Sequence, residues 1–63
     1  MTTPERIARM TVVEKLRIAL NGSPEERAIL IQDANQLVPA AVLSSPLLTN
    51  AEVEAYAAMP AIL

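Results

Sequence analysis

Apolar residues recur along this chain at three- and four-residue spacing, in short stretches separated by proline, glycine and polar residues. Val12, Leu16 and Leu20, for example, lie on one side of a helix. No stretch alternates between apolar and polar residues with period two, so strands are not expected. The pattern predicts an all-α protein with helices at about residues 12–20, 24–31, 36–44 and 50–58, and an opening turn of helix near residues 4–9.

Most of these helices have a local start signal, in which an N-cap side chain is followed three residues later by Glu or Gln. The pairs are Thr11 with Glu14, Ser23 with Glu26, Asp33 with Gln36, and Thr49 with Glu52. Helices this short are marginal on intrinsic propensity. Repeated capping boxes are therefore the expected means of holding them.

The third helix has a conflict near its start. A helix beginning at Ala34 would place Pro39 in its interior, where proline removes a backbone hydrogen bond. Asn35 is an alternative N-cap, and we expect either a late start or a kink. Among the stop signals, Gly22 is expected to supply a left-handed residue after the first long helix.

Two predicted helices are apolar on nearly every side. They contain AILI, residues 28–31, and LVPAAVL, residues 37–43. Such helices are usually buried on several sides. A chain this small has few other helices with which to cover them, so the pattern predicts apolar surface that another molecule must cover.

Composition limits the ways in which the fold can be stabilised. The chain has 63 residues, no cysteine, no histidine and one aromatic residue, Tyr56, with a formal net charge of −2. A chain of this size buries little surface on folding, and disulfides and thiolate metal sites are excluded. Oligomerisation or docking remains. No targeting segment or 20-residue apolar span is evident, which predicts a cytoplasmic protein.

The segment EERAILIQDANQLVPAAVLSS, residues 25–45, resembles a HEAT-like helical repeat. An apolar helix is followed by Asp33, Asn35 and the pattern LVxxAVL. From about Thr11 to Met59 the chain is also similar to short, largely uncharacterised bacterial helical-repeat proteins. The resemblance implies a HEAT-like stack of helical hairpins with Asp33 as a cap. Pro39 stands where HEAT units commonly carry Arg, so the polar ladder between repeats is not expected.

The resemblance and the helix pattern together predict one small helical domain over residues 1–63. Residues 1–10 would form an arm or short helix, residues 11–59 the repeat core and residues 60–63 an apolar tail. Repeat units bury their faces against neighbours, and about three are normally needed for stability. A stack this short is therefore expected to meet another protein.

Candidate catalytic and nucleic-acid-binding residues have simpler explanations. Glu14, Glu26 and Glu52 are explained as capping residues, and Asp33 is more readily a cap than a metal ligand. We therefore expect no enzyme activity, metal or cofactor. Four basic residues make the N-terminal third locally positive: Arg6, Arg9, Lys15 and Arg17. They are interpreted as a solvated face or as the rim of a contact with an acidic partner.

We hypothesise a non-catalytic protein–protein interaction module, an accessory or structural subunit of a larger assembly, bound to another protein or to copies of itself. One alternative is a peripheral subunit on the cytoplasmic face of a membrane-bound bacterial complex, photosynthetic or respiratory. Another is a helix-turn-helix regulator, although Arg27 is the only basic residue of the helix that would read DNA. The candidate partner-binding residues are Ile18, Ile29, Ile31, Val38, Tyr56, Met59, Ile62 and Leu63. Ile18 also fits packing on Ile7 or simple exposure, and Tyr56 fits the core equally well.

Overall fold

The computed structural model describes residues 3–59, and this part of the chain is helical with no strand. The prediction of an all-α fold is confirmed, and the observed bounds lie close to the predicted ones. The helices are α1 (Thr3–Ala8), α2 (Val12–Asn21), α3 (Pro24–Leu30), α4 (Leu37–Leu43) and α5 (Asn50–Ala57).

Three of the predicted capping boxes are present. The Thr11, Ser23 and Thr49 hydroxyls accept from the backbone N–H three residues ahead, at 3.2, 3.2 and 3.3 Å. The glutamate at that third position accepts in return from the N-cap N–H, at 3.2, 2.8 and 3.2 Å. Because both hydrogen bonds are local, the sequence alone was sufficient to place the starts of α2, α3 and α5.

The fourth predicted box, Asp33 with Gln36, does not form. Asp33 instead accepts from the Asn35 N–H at 3.0 Å, and the Asn35 side chain accepts from the Leu37 N–H at 3.0 Å. Helix α4 begins at Leu37, so the predicted late start is confirmed. Pro39 then lies in the first turn, where a missing N–H removes no intrahelical bond.

The expectation of a left-handed Gly22 is wrong. Gly22 follows α2 with φ −81° and ψ −174°, which is extended backbone, and its N–H donates to the Ile18 carbonyl at 2.7 Å. A Cβ at this position would lie 2.6 Å from the Ile18 oxygen and 2.8 Å from Glu26 Oε1. Glycine is required here by space: the turn between α2 and α3 is too tight for a side chain.

A single apolar cluster lies between the helices. Its buried members are Ile7, Ala19, Leu30, Ile31, Val38, Val42 and Tyr56. The most extensive helix contact joins α2 to α4, and α3 packs against α1, α2 and α4. Ser45 Oγ, just past α4, donates to the Leu20 carbonyl near the end of α2 at 2.9 Å, so these two helix ends are adjacent. The HEAT-like arrangement of the helices stays a prediction.

Candidate protein-binding surface

Arg27 is the buried charged residue of the segment 3–59, with only 2% of the residue exposed. Its Nε and Nη2 donate to the two carboxylate oxygens of Glu52 at 2.7 and 2.8 Å. Its Nη1 donates to the Gly22 carbonyl at 2.7 Å. The paired geometry is the strong form of an arginine–carboxylate contact, and it fastens α5 to α3.

Glu52 serves two functions in this cluster. It closes the capping box of α5 with Thr49, and it accepts from both Arg27 and the Tyr56 hydroxyl, the latter at 3.2 Å. Hydrogen bonds from Arg27, aided by the Thr49 N–H and hydroxyl, lower the pKa of Glu52 to about 2. Burial and the neighbouring Glu52 carboxylate raise the pKa of Tyr56. Neither group is poised for proton transfer near neutral pH, so the geometry of this cluster supports a structural role.

Sequence reasoning missed this use of Arg27, which was weighed only as a DNA-contacting residue. The available signal was spacing: Arg27 lies three and four residues before Leu30 and Ile31, and these three residues therefore share one helix face. All three are buried. A basic residue on an apolar stripe predicts a buried ion pair, and Arg27 is consequently not accessible for reading DNA.

Two further ion pairs use basic residues of the N-terminal third. Lys15 Nζ lies 2.7 Å from Asp33 Oδ1, and Arg6 Nη2 lies 3.0 Å from Glu26 Oε2. The Lys15 ammonium is the main cause of the lowered pKa of Asp33. Arg9 and Arg17 are exposed. The predicted basic rim is therefore reduced in the folded chain, because Arg6 and Lys15 are engaged by the protein's own carboxylates.

The candidate partner-binding residues fall into three groups. Ile31, Val38 and Tyr56 are buried in the apolar cluster, so this part of the hypothesis needs correction: a partner cannot reach them while the chain is closed. The partly buried residues packed against that cluster include Ile18, Ile29 and Met59. Ile62 and Leu63 lie outside the described residues. A partner could instead contact the apolar side chains that remain exposed outside the apolar cluster.

One of these exposed apolar features lies on α4. Leu37 is 62% exposed and Leu43 is 52% exposed, although the same helix buries Val38 and Val42 completely. With 3.6 residues per turn, Leu37 and Leu43 bound an arc of about 120° that also contains Ala40 and Ser44. These four residues are called the α4 outer face below, and all of them are exposed.

The α4 outer face is also unusually poor in polar groups. It lies within residues 34–51, a stretch that contains no charged side chain. The hydroxyl of Ser44 donates to the Ala40 carbonyl at 3.0 Å, so its hydrogen is already used within the helix. Leu47, immediately beyond the helix, is 52% exposed. A partner covering this face would therefore displace water from apolar atoms without separating a charge from solvent.

Within residues 3–59 there is no group of three or more histidine, cysteine or acidic residues arranged to hold a metal ion. No helix in that segment has the length and apolar character required to cross a membrane.

Comparisons with known proteins found no relative of this chain. Neither a protein-family model, nor a curated protein, nor a solved structure matches it.

Proposed function

We propose that this protein is a non-catalytic interaction module, a small accessory or structural subunit that docks on a larger multi-subunit assembly. The observation that carries the proposal is the α4 outer face, where Leu37 and Leu43 remain more than half exposed on a helix without a charged residue. Large exposed apolar side chains grouped on one helix face are typical of protein contact sites.

The chemistry of the face indicates the kind of partner surface that fits it. The absence of charge across residues 34–51 leaves no basis for electrostatic attraction to nucleic acid or to a charged protein surface. An apolar groove that receives an exposed helix face matches it best, with Leu37 and Leu43 as the anchors. The docked partner would also supply the stabilisation that a chain of this size otherwise lacks.

Co-purification from the organism that encodes the protein tests the proposal. A tagged full-length chain is expected to migrate with an assembly of defined size and reproducible stoichiometry. The double substitution Leu37→Asp and Leu43→Asp should release it, while circular dichroism shows that the helices are retained. Val13→Asp is the control, because Val13 is 66% exposed on α2 and is not one of the residues of the α4 outer face. Equal retention of both variants would exclude this face.

Sedimentation of the isolated chain gives a second, independent readout. A subunit that requires a host should be marginally stable, or should self-associate at high concentration through the same leucines. A stably folded monomer that remains monomeric at millimolar concentration would contradict the proposal. Fractionation of cell membranes then tests the narrower proposal that the host is a membrane-bound bacterial complex on its cytoplasmic side.

A further inference from the structure

Helix α5 is attached to the molecule differently from the other helices. In the described residues, α1 to α4 pack with close backbone approach, whereas α5 has no comparably extensive contact with any one of them. Long side chains make the connection instead. Glu52 and Tyr56 meet at Arg27, and Met59, just beyond the helix, accepts from the Gln32 side chain at 3.3 Å.

Few contacts must break for this helix to undock. Its own capping box is local, and Tyr56 is its only buried residue, while Val53 is 45% exposed. Undocking therefore breaks the contacts of a few long side chains, and the eight-residue helix that is released is too short to keep its backbone hydrogen bonds closed on its own, so its amides become open to exchange.

The connection before α5 is anchored at Ser45, whose Oγ also accepts from the Leu47 N–H at 3.2 Å. The Leu47 carbonyl accepts from Arg27 Nη2 at 3.5 Å, and the partly buried Leu48 packs against the apolar cluster, so opening must release both contacts. Ser45 is buried and anchored to the Leu20 carbonyl at the end of α2. After it come Pro46 and the exposed Leu47, and Thr49 caps α5. A hinge motion of α5 is thereby confined to residues 46–49, and α4 need not move with it.

Arg27 keeps one of its contacts when α5 leaves. Its Nη1 donates to the Gly22 carbonyl at 2.7 Å, a bond contained within the α2–α3 turn. The Nε and Nη2 groups, which hold Glu52 in the closed state, would then point to solvent in a fixed orientation. A guanidinium presented in this way matches a carboxylate with two oxygens.

We propose that α5 is a lid hinged at residues 46–49, which opens as a unit while α1–α4 remain folded, and that opening presents Arg27 as a binding site for an acidic residue in the first turn of a partner helix. This site is separate from the α4 outer face, so either proposal can fail without the other.

Native-state hydrogen exchange on the labelled full-length chain tests the lid. The amides of Val53 to Ala58 are expected to exchange as one group, at least about tenfold faster than the protected amides of α2. Glu52→Gln should accelerate the α5 group about tenfold or more, as expected for loss of a charge-assisted bond, and the α5 amides should remain faster than those of α2 in that variant. Glu14→Gln is the matched control, because Glu14 also closes a capping box, that of α2, and its hydrogen bonds are to Thr11 at the start of its own helix.

The lid is overturned if α5 and α2 exchange at the same rate in both the unaltered chain and Glu52→Gln, since the chain would then open only globally. It is overturned equally if α5 amides show no protection in the unaltered protein. Arg27→Met provides the second variant: it leaves the capping box of α5 in place, and it should accelerate the α5 amides by a similar factor.

A synthetic peptide of residues 48–59 tests the exposed site. Added to the full-length Glu52→Gln chain at millimolar concentration, it should shift the Arg27 Nε–H resonance, because its own glutamate replaces the missing carboxylate. The same peptide with glutamine at that position should cause at least about tenfold weaker binding. Equal binding by both peptides, or no shift with either, would refute the carboxylate site.

Discussion

Helices α3 and α4 are both seven residues long and were both expected to leave apolar surface uncovered, yet they end in opposite states. In α3, Leu30 and the following Ile31 are buried and Ile29 is partly covered. In α4, Leu37 and Leu43 remain more than half exposed. The reason is position: α3 packs against α1, α2 and α4, whereas the extensive contacts of α4 are with α2 and α3 alone.

The difference teaches that the apolar content of a helix indicates how much of its surface must be buried. The position of the helix in the fold decides which part of that surface is buried. The short α1 is what closes α3, through the buried Ile7 and the Arg6–Glu26 ion pair. No equivalent element covers the far side of α4 among the described residues. Substitutions in the two helices should therefore have opposite consequences.

Leu30→Ala should have the largest effect among the substitutions that leave the chain able to fold. Leu30 is fully buried, and removal of a leucine side chain from a packed core costs about 2–5 kcal/mol. In a domain this small, that loss is comparable to the total stability. Leu37→Ala on α4 should change stability by less than about 0.5 kcal/mol. Urea unfolding followed by circular dichroism compares the two, and equal losses would show that α3 is not the sealed helix.

Arg27→Met should follow, with a loss of about 2–3 kcal/mol in the free energy of unfolding. The substitution removes the bonds to the Glu52 carboxylate and to the Gly22 carbonyl while it retains most of the side-chain volume. Arg17→Met is the control, since Arg17 is exposed on α2. If Arg27→Met leaves the free energy of unfolding unchanged, the attraction between Arg27 and Glu52 merely offsets the cost of removing the two charges from water.

Gly22→Ala should be destabilising by about 1–3 kcal/mol, because the new methyl group meets the Ile18 backbone and Glu26. The sign of the change in stability is informative. At an ordinary φ of −81°, replacing glycine with alanine in open space is normally stabilising by about 0.4–1 kcal/mol. A higher thermal midpoint would therefore disprove the close approach that brings α3 against α2.

Acid should weaken the attachment of α5 to α3. The pKa of Glu52 is lowered from 4.5 to about 2, so its contribution is fully present above pH 4.5 and is lost as the pH falls toward 2. Urea midpoints measured across this interval should fall, and Glu52→Gln should make the fall shallower. Part of the slope will persist in that variant, because the pKa values of Asp33, Glu26 and Glu14 are also lowered.

Leu37→Glu should have the smallest effect on the isolated chain, within about 0.5 kcal/mol, since Leu37 already faces water. Its neighbour Val38 is fully buried, and Val38→Glu should prevent folding because it places a carboxylate in the core. Circular dichroism at neutral pH distinguishes the two variants directly. If both variants fold, Val38 is not buried in the apolar cluster as described.

Helix positions were predictable because their determinants are local. The capping boxes at Thr11, Ser23 and Thr49 each need only four residues, and the structure contains all three. The box expected at Asp33 failed for a reason that local pattern does not contain. Lys15, eighteen residues earlier, pairs with Asp33, and the first N–H of α4, that of Leu37, is taken by the Asn35 side chain.

The candidate surface was less predictable, because the choice between buried and exposed positions depends on distant neighbours. Val38 and Leu37 are adjacent and similarly apolar, yet one is fully buried and the other is 62% exposed. Tyr56 was balanced between core and contact, and it is in the core because its hydroxyl meets Glu52 beside Arg27. Arg27 was missed because Glu52 already had a complete local explanation as a capping residue.

The double engagement of Glu52 has a consequence for how the chain reaches its native state. A flexible carboxylate normally loses rotational freedom when it meets a guanidinium, which is one reason that surface ion pairs are weak. Here the Thr49 N–H and hydroxyl have already selected its rotamer. The first turn of α5 thus presents the Glu52 carboxylate already oriented for Arg27, so formation of this helix and its docking on α3 become a single cooperative step.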